Sequence, residues 1–389
     1  MRTSMRATTS LVGVAVCLCA FVPPAVAQEC PELVGYLDTP VDTSWSHLAA
    51  EEGYVYKALC SRFHTEEGEF TVIDAHTPSD PVEVGSLEIC ARAVVVSGDV
   101  AYVDRYYTDP YEGYMGVQVI DVSDPASPSE GHLIMDRGGV AAVSDGYLYT
   151  VDPQTGIWVI DVSDPRSPSE VGFLAPPGYR QLLGLELAGH YVYTTSTTPK
   201  GLFVSPRQFL DVIDVSDPST PFIVGSAQVA EEYTPDFSPW KSESSRSDVA
   251  VSGVYAFVST YIGFNQPNTM WGPYESHGGI TVVDVRDPSE PVVAAYLDFE
   301  EGGPSWLVDS GHLLFTDWGV FDISHPSEPR FVSGSSYGWS ICSCGRNVYS
   351  EGHFFDPATG SWHSGLQVFD TWTWACRHPW TQQMPLAAE

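Results

Sequence analysis

One phrase recurs along this chain and constrains its fold more than any other feature. It is an alternating apolar strand that ends in Asp and runs into a Pro-rich turn. It reads FTVIDAHTPSDPVEVGSL up to Leu87, VQVIDVSDPASP up to Pro128, IWVIDVSDPRSPSEVGFL up to Leu174 and LDVIDVSDPSTPFIVGS up to Ser226. Further copies are ITVVDVRDPSEPVV up to Val293, GVFDISHPSEPRFVSG up to Gly334 and an incomplete LQVFDTWTW up to Trp374. The shared Asp falls at Asp74, Asp121, Asp161, Asp214, Asp284, Asp322 and Asp370. A hairpin precedes each copy: an apolar strand, a tight turn and a Tyr/Val-rich strand, with Gly53, Gly98, Gly146, Gly189, Gly253, Gly311 and Gly345 at the tips. Such residues supply the positive φ that a short hairpin turn needs.

Each unit therefore carries four short strands: inner strand a, strand b, the "VID" strand c and an outer strand d such as PVEVGSL. A period of roughly 40 to 50 residues with four strands is the signature of a propeller blade. The expected fold is all-β, a seven-bladed β-propeller of four-stranded antiparallel blades. The seventh unit lacks strand d after Asp370. The segment Cys30-Pro31-Glu32-Leu33-Val34-Gly35-Tyr36-Leu37 matches the outer strand of the other copies and has no strands a to c before it. The N-terminal segment is thus expected to complete the last blade and close the ring. Cys30 and Cys376 occupy the same slot before strand d, so a Cys30–Cys376 disulfide is expected there. Cys60, Cys90, Cys342 and Cys344 are left unassigned. Cys342 and Cys344 share one face of a strand, a poor geometry for bonding each other.

These "VIDVSDP" units resemble the LVIVD repeat family of bacterial β-propellers. The resemblance runs over nearly all of the chain after residue 27. It implies a secreted or surface propeller and no established catalytic residues.

The N-terminus reads as a secretory signal peptide over residues 1–27, with Arg2 and Arg6, an apolar run Leu11 to Val22 and Ala25-Val26-Ala27. That run is too short to span a bilayer. Residues 28–389 then form one propeller domain, located outside the cell or in the periplasm. The net charge of −33 disfavours nucleic acid and anionic membranes as partners, and membrane insertion is not expected. A protein or carbohydrate ligand remains.

The repeated aspartates suit turn capping better than metal binding, because Asp and Ser side chains before Pro accept or donate within the turn. The a–b and c–d turns are uniform and share one rim. The opposite rim carries the variable connections: b–c loops at 104–116, 195–207, 261–279 and 350–365, and a d–a insertion at 231–247. Loops elaborated on one rim of a rigid scaffold are where binding sites are grafted.

Candidate rim aromatics are Tyr106, Tyr107, Tyr111, Tyr114, Trp240, Phe264, Trp271, Tyr274, Phe354 and Trp362. Candidate channel-mouth residues are Arg92, Arg137, Arg180 and Arg246, with Trp45, His47, Trp306 and Trp339 at the same approach in other blades. Arginines and tryptophans around a channel suit an anionic or sugar-like ligand, and salt bridging to acidic neighbours is the competing reading. His277, His353 and His363 lie on that rim without a ligand-pair spacing. Asp298, Glu300 and Glu301 could take calcium, although a solvated loop explains them. No catalytic motif, metal site or cofactor is implied. The function expected is non-catalytic binding or scaffolding, with a channel-mouth hydrolase or lyase for an anionic sugar or ester as the alternative.

Overall fold

The computed structural model describes residues 31–39, 45–60, 68–108, 113–135, 139–153, 155–178, 180–198, 207–230, 242–265, 275–299, 303–334, 340–356 and 360–371. These residues form seven antiparallel sheets, each one blade. Blades 1 to 6 span 45–87, 91–135, 139–174, 181–228, 242–299 and 307–333. Blade 7 is built from Ser340–Cys344, Asn347–Asp356 and Ser361–Asp370, and its outer strand is the N-terminal Glu32–Asp38. That strand pairs antiparallel with the last one, Glu32 opposite Asp370 and Asp38 opposite Gly365. The ring closes as the sequence implied. Strand a of blade 5 is broken into Ser242–Arg246 and Val249–Ser252, both paired to Tyr255–Asn265.

Strands b and c are buried on both faces because each blade is sandwiched between two others. In blade 1 the buried runs are Val55 to Ala58 and Phe70 to Ile73. The core consists of seven apolar clusters, each spanning one pair of adjacent blades. One joins Tyr56 and Phe70 of blade 1 to Val94 and Val103 of blade 2, and another joins Tyr349 and Val368 of blade 7 to Val55 and Ile73 of blade 1. The remaining five occupy the other junctions.

Several devices besides apolar packing hold blade to blade. The first is a close approach. A Cβ on Gly35, Gly85, Gly172 or Gly225 of strand d would overlap the carbonyl oxygen of Pro78, Pro125, Pro218 or Pro288 in the next blade's c–d turn. This is why V-G recurs in the outer strand: only a residue without Cβ lets the neighbouring turn seat. The second is a buried ion pair, Lys57 of blade 1 with Glu351 of blade 7, across the closing junction. The third is a Cys60–Cys90 disulfide, 30 residues apart in sequence, tying strand b of blade 1 to the start of blade 2. The chain-entropy model gives such a crosslink about 3 to 4 kcal/mol. Cys342 and Cys344 are free thiols, and both pack against the core between blades 7 and 1. Cys30 and Cys376 lie outside the described residues.

The shared aspartates act in the turns. Oδ1 of Asp121, Asp161, Asp214 and Asp322 accepts from both N–H and Oγ–H of the Ser two residues on. These bonds hold the carboxyls of Asp121, Asp161 and Asp214 below their ordinary range. Asp74 and Asp284 accept from the N–H of His76 and Arg286.

Candidate functional site: the two ends of the axial channel

At one end every blade is finished in the same way. The residue after the shared Asp donates its N–H to the a–b turn: Ala75 to Gly53, Val122 to Asp99, Val162 to Gly146, Val215 to His190, Val285 to Val254, Ile323 to His312 and Thr371 to Arg346, at 2.8–3.0 Å. Asp145 and Gly146 show the backbone behind these turns, with φ of 52° and 78°. Bonds between blades add to these at the same rim: Gly98 N–H of blade 2 donates to Glu51 Oε2 of blade 1 at 2.9 Å, and Ser252 Oγ–H of blade 5 to the Gly311 carbonyl of blade 6 at 3.2 Å.

The opposite end differs. The sequence read its b–c connections as loops, but in blades 2, 5 and 7 they are β-ribbons. Strands b and c stay paired out to Thr108 opposite Gly113, Phe264 opposite Glu275 and Asp356 opposite Ser361. In blades 3 and 6 the same strands stop at Asp152 opposite Gly156 and Thr316 opposite Gly319. In blade 4, pairing reaches Thr197 opposite Gln208, and residues 199–206 lie outside the described set.

Of the rim aromatics, Trp362 on the blade 7 ribbon is 75% exposed, whereas Phe354 beside it is buried. Phe354 packs with Tyr36 and His363, ring centroids 5.2 and 5.4 Å away. His363 Nδ1 lies 3.0 Å from Asp38 Oδ1, and His353 Nδ1 lies 2.6 Å from Ser364 Oγ. No group of three or more His, Cys, Asp or Glu side chains that could hold a metal occurs among the described residues. Tyr111, Trp240, Trp271, Tyr274, Trp339 and Arg137 lie outside the described residues, and of Trp45, Tyr106, Tyr107, Tyr114, Arg246, Phe264 and His277 at most the backbone placement is described.

The arginines of the channel mouth are not a set of equivalents. Arg92 sits at a bulge in strand a of blade 2, where the register slips between Ala91 and Val94. Its charge acts on Asp104, a buried carboxyl that desolvation pushes up to about 7 against that attraction. Arg180 precedes strand a of blade 4 and turns inward. Its Nη1 donates to both oxygens of Asp211, at 3.1 and 3.2 Å, and its guanidinium stacks 4.2 Å from the Phe209 centroid. Asp211 is fully buried and also accepts from Ser196 Oγ at 2.7 Å and Ser226 Oγ at 2.6 Å. At Arg180, then, the salt bridge accounts for the residue. Trp306 packs half-buried on the core between blades 6 and 7.

His47 is exposed to solvent on the inner strand of blade 1. Its Nδ1 accepts from Val94 N–H of the next blade at 3.3 Å, and the desolvation of the ring in that contact lowers its pKa. Asp248 fills the matching slot in blade 5. It accepts from Leu307 N–H of blade 6 and from Val249 N–H, both at 2.9 Å, and burial raises it to about 6. Both side chains tie one inner strand to the next, capturing N–H groups that an edge strand leaves unpaired.

A solvent-open hollow lies at the uniform end. It has a volume of about 460 Å³ and is bordered by the inner strands of blades 1 to 4, with Ala49, Val95, Ala142, Asp145, Glu186 and His190 in its wall. Burial, and then the charges of Asp248 and Asp309, raise the Glu186 carboxyl to about 8. Sequence reasoning passed over Glu186. Its signal was a Glu in LLGLELAG at the register where blades 1 to 3 place Ala49, Val95 and Ala142.

Comparison with known proteins gives the following. The LVIVD repeat model matches residues 111–135, 140–175 and 203–229, in blades 2, 3 and 4. The chain carries LVIVD repeats. A search of curated proteins finds no match. Among solved structures, the N-terminal domain of Nup159 is similar at 11% identity over 88% of this chain and 96% of that one, with a TM-score of 0.46. A chain from the S. cerevisiae complex of Dbp5 bound to Nup159, Gle1, IP6 and ADP is 9% identical over 88% and 96%, with a TM-score of 0.49. The α-L-arabinofuranosidase Arb93A from Fusarium graminearum is 11% identical over 72% and 92%, with a TM-score of 0.42. No helix among the described residues is long and apolar enough to cross a membrane.

Proposed function

We propose that this protein is an exported, non-catalytic propeller that binds a protein or glycan partner on its elaborated rim. The observation that carries this reading is the asymmetry of the two rims: uniform turns finish one end, and ribbons from blades 2, 5 and 7 extend at the other. A rigid ring with chain elaborated on one end is the arrangement expected of a recognition scaffold. The state of the polar groups supports it. Arg180, His47 and Asp248 make bonds within and between blades, whereas the ribbons extend past the last of those bonds and Trp362 is largely exposed. Export is supported by the leader-like residues 1–27 and by the Cys60–Cys90 disulfide, a bond that persists in oxidising compartments.

The test is a glycan-array and pull-down screen of the protein against two variants. One shortens the blade 5 ribbon by replacing residues 266–274 with a Gly-Ser turn, and the other is Arg92→Ala/Arg180→Ala. Binding lost in the first and kept in the second assigns recognition to the ribbons. Binding lost only in the second returns it to the channel mouth, and binding kept in both overturns the rim reading.

A further inference from the structure

The outer wall carries a feature that the rim reading does not use. Strand d of blade 5, Val292–Phe299, is the longest outer strand at eight residues, and its sequence VVAAYLDF holds one charge, Asp298. It ends its sheet, paired on one side only, to Glu275–Asp284. Val292 is 60% exposed and Tyr296 52%. Other outer strands are defended. Those of blades 1, 2, 3 and 7 contain Glu83, Glu130, Glu170 and Glu32, and that of blade 6 is only four residues with Arg330. Blade 4's uncharged strand is partly covered, because Gly225 seats the Pro288 turn. Natural edges are kept from pairing by charge, shortness or cover. In blade 5 the one charge comes only at the seventh of eight positions; Ala295 and Leu297 pack towards blade 6, and Val292, Val293, Ala294 and Tyr296 are left exposed.

The apolar surface continues sideways. Phe299 meets Trp318 of blade 6 at 5.5 Å between centroids, and Phe321 links Phe299 to the exposed Phe331 at 5.9 and 5.6 Å. An exposed edge and an adjoining aromatic face together suit strand addition, in which the backbone ladder supplies affinity and alternate side chains supply selection. Charge chooses the occupant. Acidic Glu290 and Asp298 flank the edge, in a chain of net charge −33, so a second copy would bring like charges together. We propose that the outer strand of blade 5 is a β-augmentation site for an extended segment of a partner protein, apolar at alternate positions and flanked by Lys or Arg.

The test uses the intact protein and a short synthetic peptide in which Val alternates with Thr between terminal Lys residues, beside the same peptide with Glu ends. Hydrogen exchange is expected to slow at Val292–Phe299 with the Lys-ended peptide only. Val292→Lys/Ala294→Lys is expected to weaken binding at least about ten-fold with the melting temperature unchanged, while Phe222→Lys on blade 4 leaves binding intact. No protection at that strand, or equal protection by the Glu-ended peptide, overturns the proposal. So does protection that rises with the protein's own concentration alongside dimer in sizing, which would make the occupant a second copy. None of these readouts depends on the rim ribbons, so this proposal and the rim reading fail separately.

Discussion

The two rims are made from the same seven units, yet one is standardised and the other is not. At the uniform rim an identical N–H to carbonyl bond is repeated in every blade, with Asp-capped turns in six and outer-strand glycines in four seated on the next blade. At the elaborated rim the b–c hairpins range from the tight turns of blades 3 and 6 to the ribbons of blades 2, 5 and 7. The difference teaches where stability and variation reside. Turns that dock on a neighbour cannot change without moving it, whereas a ribbon extending past the last blade contact can.

Several substitutions can break or sharpen this contrast. The largest effect is expected where the elaborated half still bears on the ring, at the closing junction. Lys57→Met leaves Glu351 buried without its partner and should cost about 3 to 5 kcal/mol in chemical denaturation. The double variant Lys57→Met/Glu351→Met should recover most of that loss, because the pair's desolvation is removed with it. Next comes the uniform rim. Gly172→Ala or Gly225→Ala forces a methyl onto a proline carbonyl and should cost about 1 to 3 kcal/mol. Gly98→Ala, with open space around it but a φ of 57°, should cost less.

A smaller effect is a pH dependence. Asp104 and Glu186 have folded pKa values of about 7 and about 8, raised above ordinary carboxyls. Raised carboxyl values mean that the folded state holds protons the unfolded chain releases. Their contribution is complete below about pH 4 and is lost as pH rises to about 8. Glu186→Gln should therefore flatten the fall in melting temperature between about pH 5 and pH 8. An unchanged slope would show that Glu186 is not buried at the channel end. The smallest effect is expected at the ribbon of blade 7, where Trp362→Ala should change stability by no more than about 0.5 kcal/mol in thermal melts.

What the sequence disclosed follows the same division. The blades, the Asp turns and closure by Glu32–Asp38 were legible because each rests on local grammar: period-two alternation, Asp before a Pro turn, and an outer-strand V-G without its blade. Gly172 was visible as part of that repeat, but its purpose, seating Pro218, exists only between blades. The Cys60–Cys90 bond was hidden for a related reason, since it joins the end of one blade to the start of the next across residues with no repeat register. Arg180 was singled out as a channel-mouth residue, and its Asp211 partner escaped notice because that carboxyl sits inside strand c, in a slot where other blades place apolar or neutral residues. Glu186 was overlooked because attention followed loop length, and its cavity lies at the end without long loops.

Ring closure is the claim on which both rims depend, and hydrogen exchange of the outer strands tests it directly. If Glu32–Asp38 truly completes blade 7, its ladder amides will exchange as slowly as those of Phe222–Gln228 in blade 4, both released only by global unfolding. Amides of Glu32–Asp38 that exchange at the rate of an unstructured peptide, while blade 4 stays protected, would contradict it.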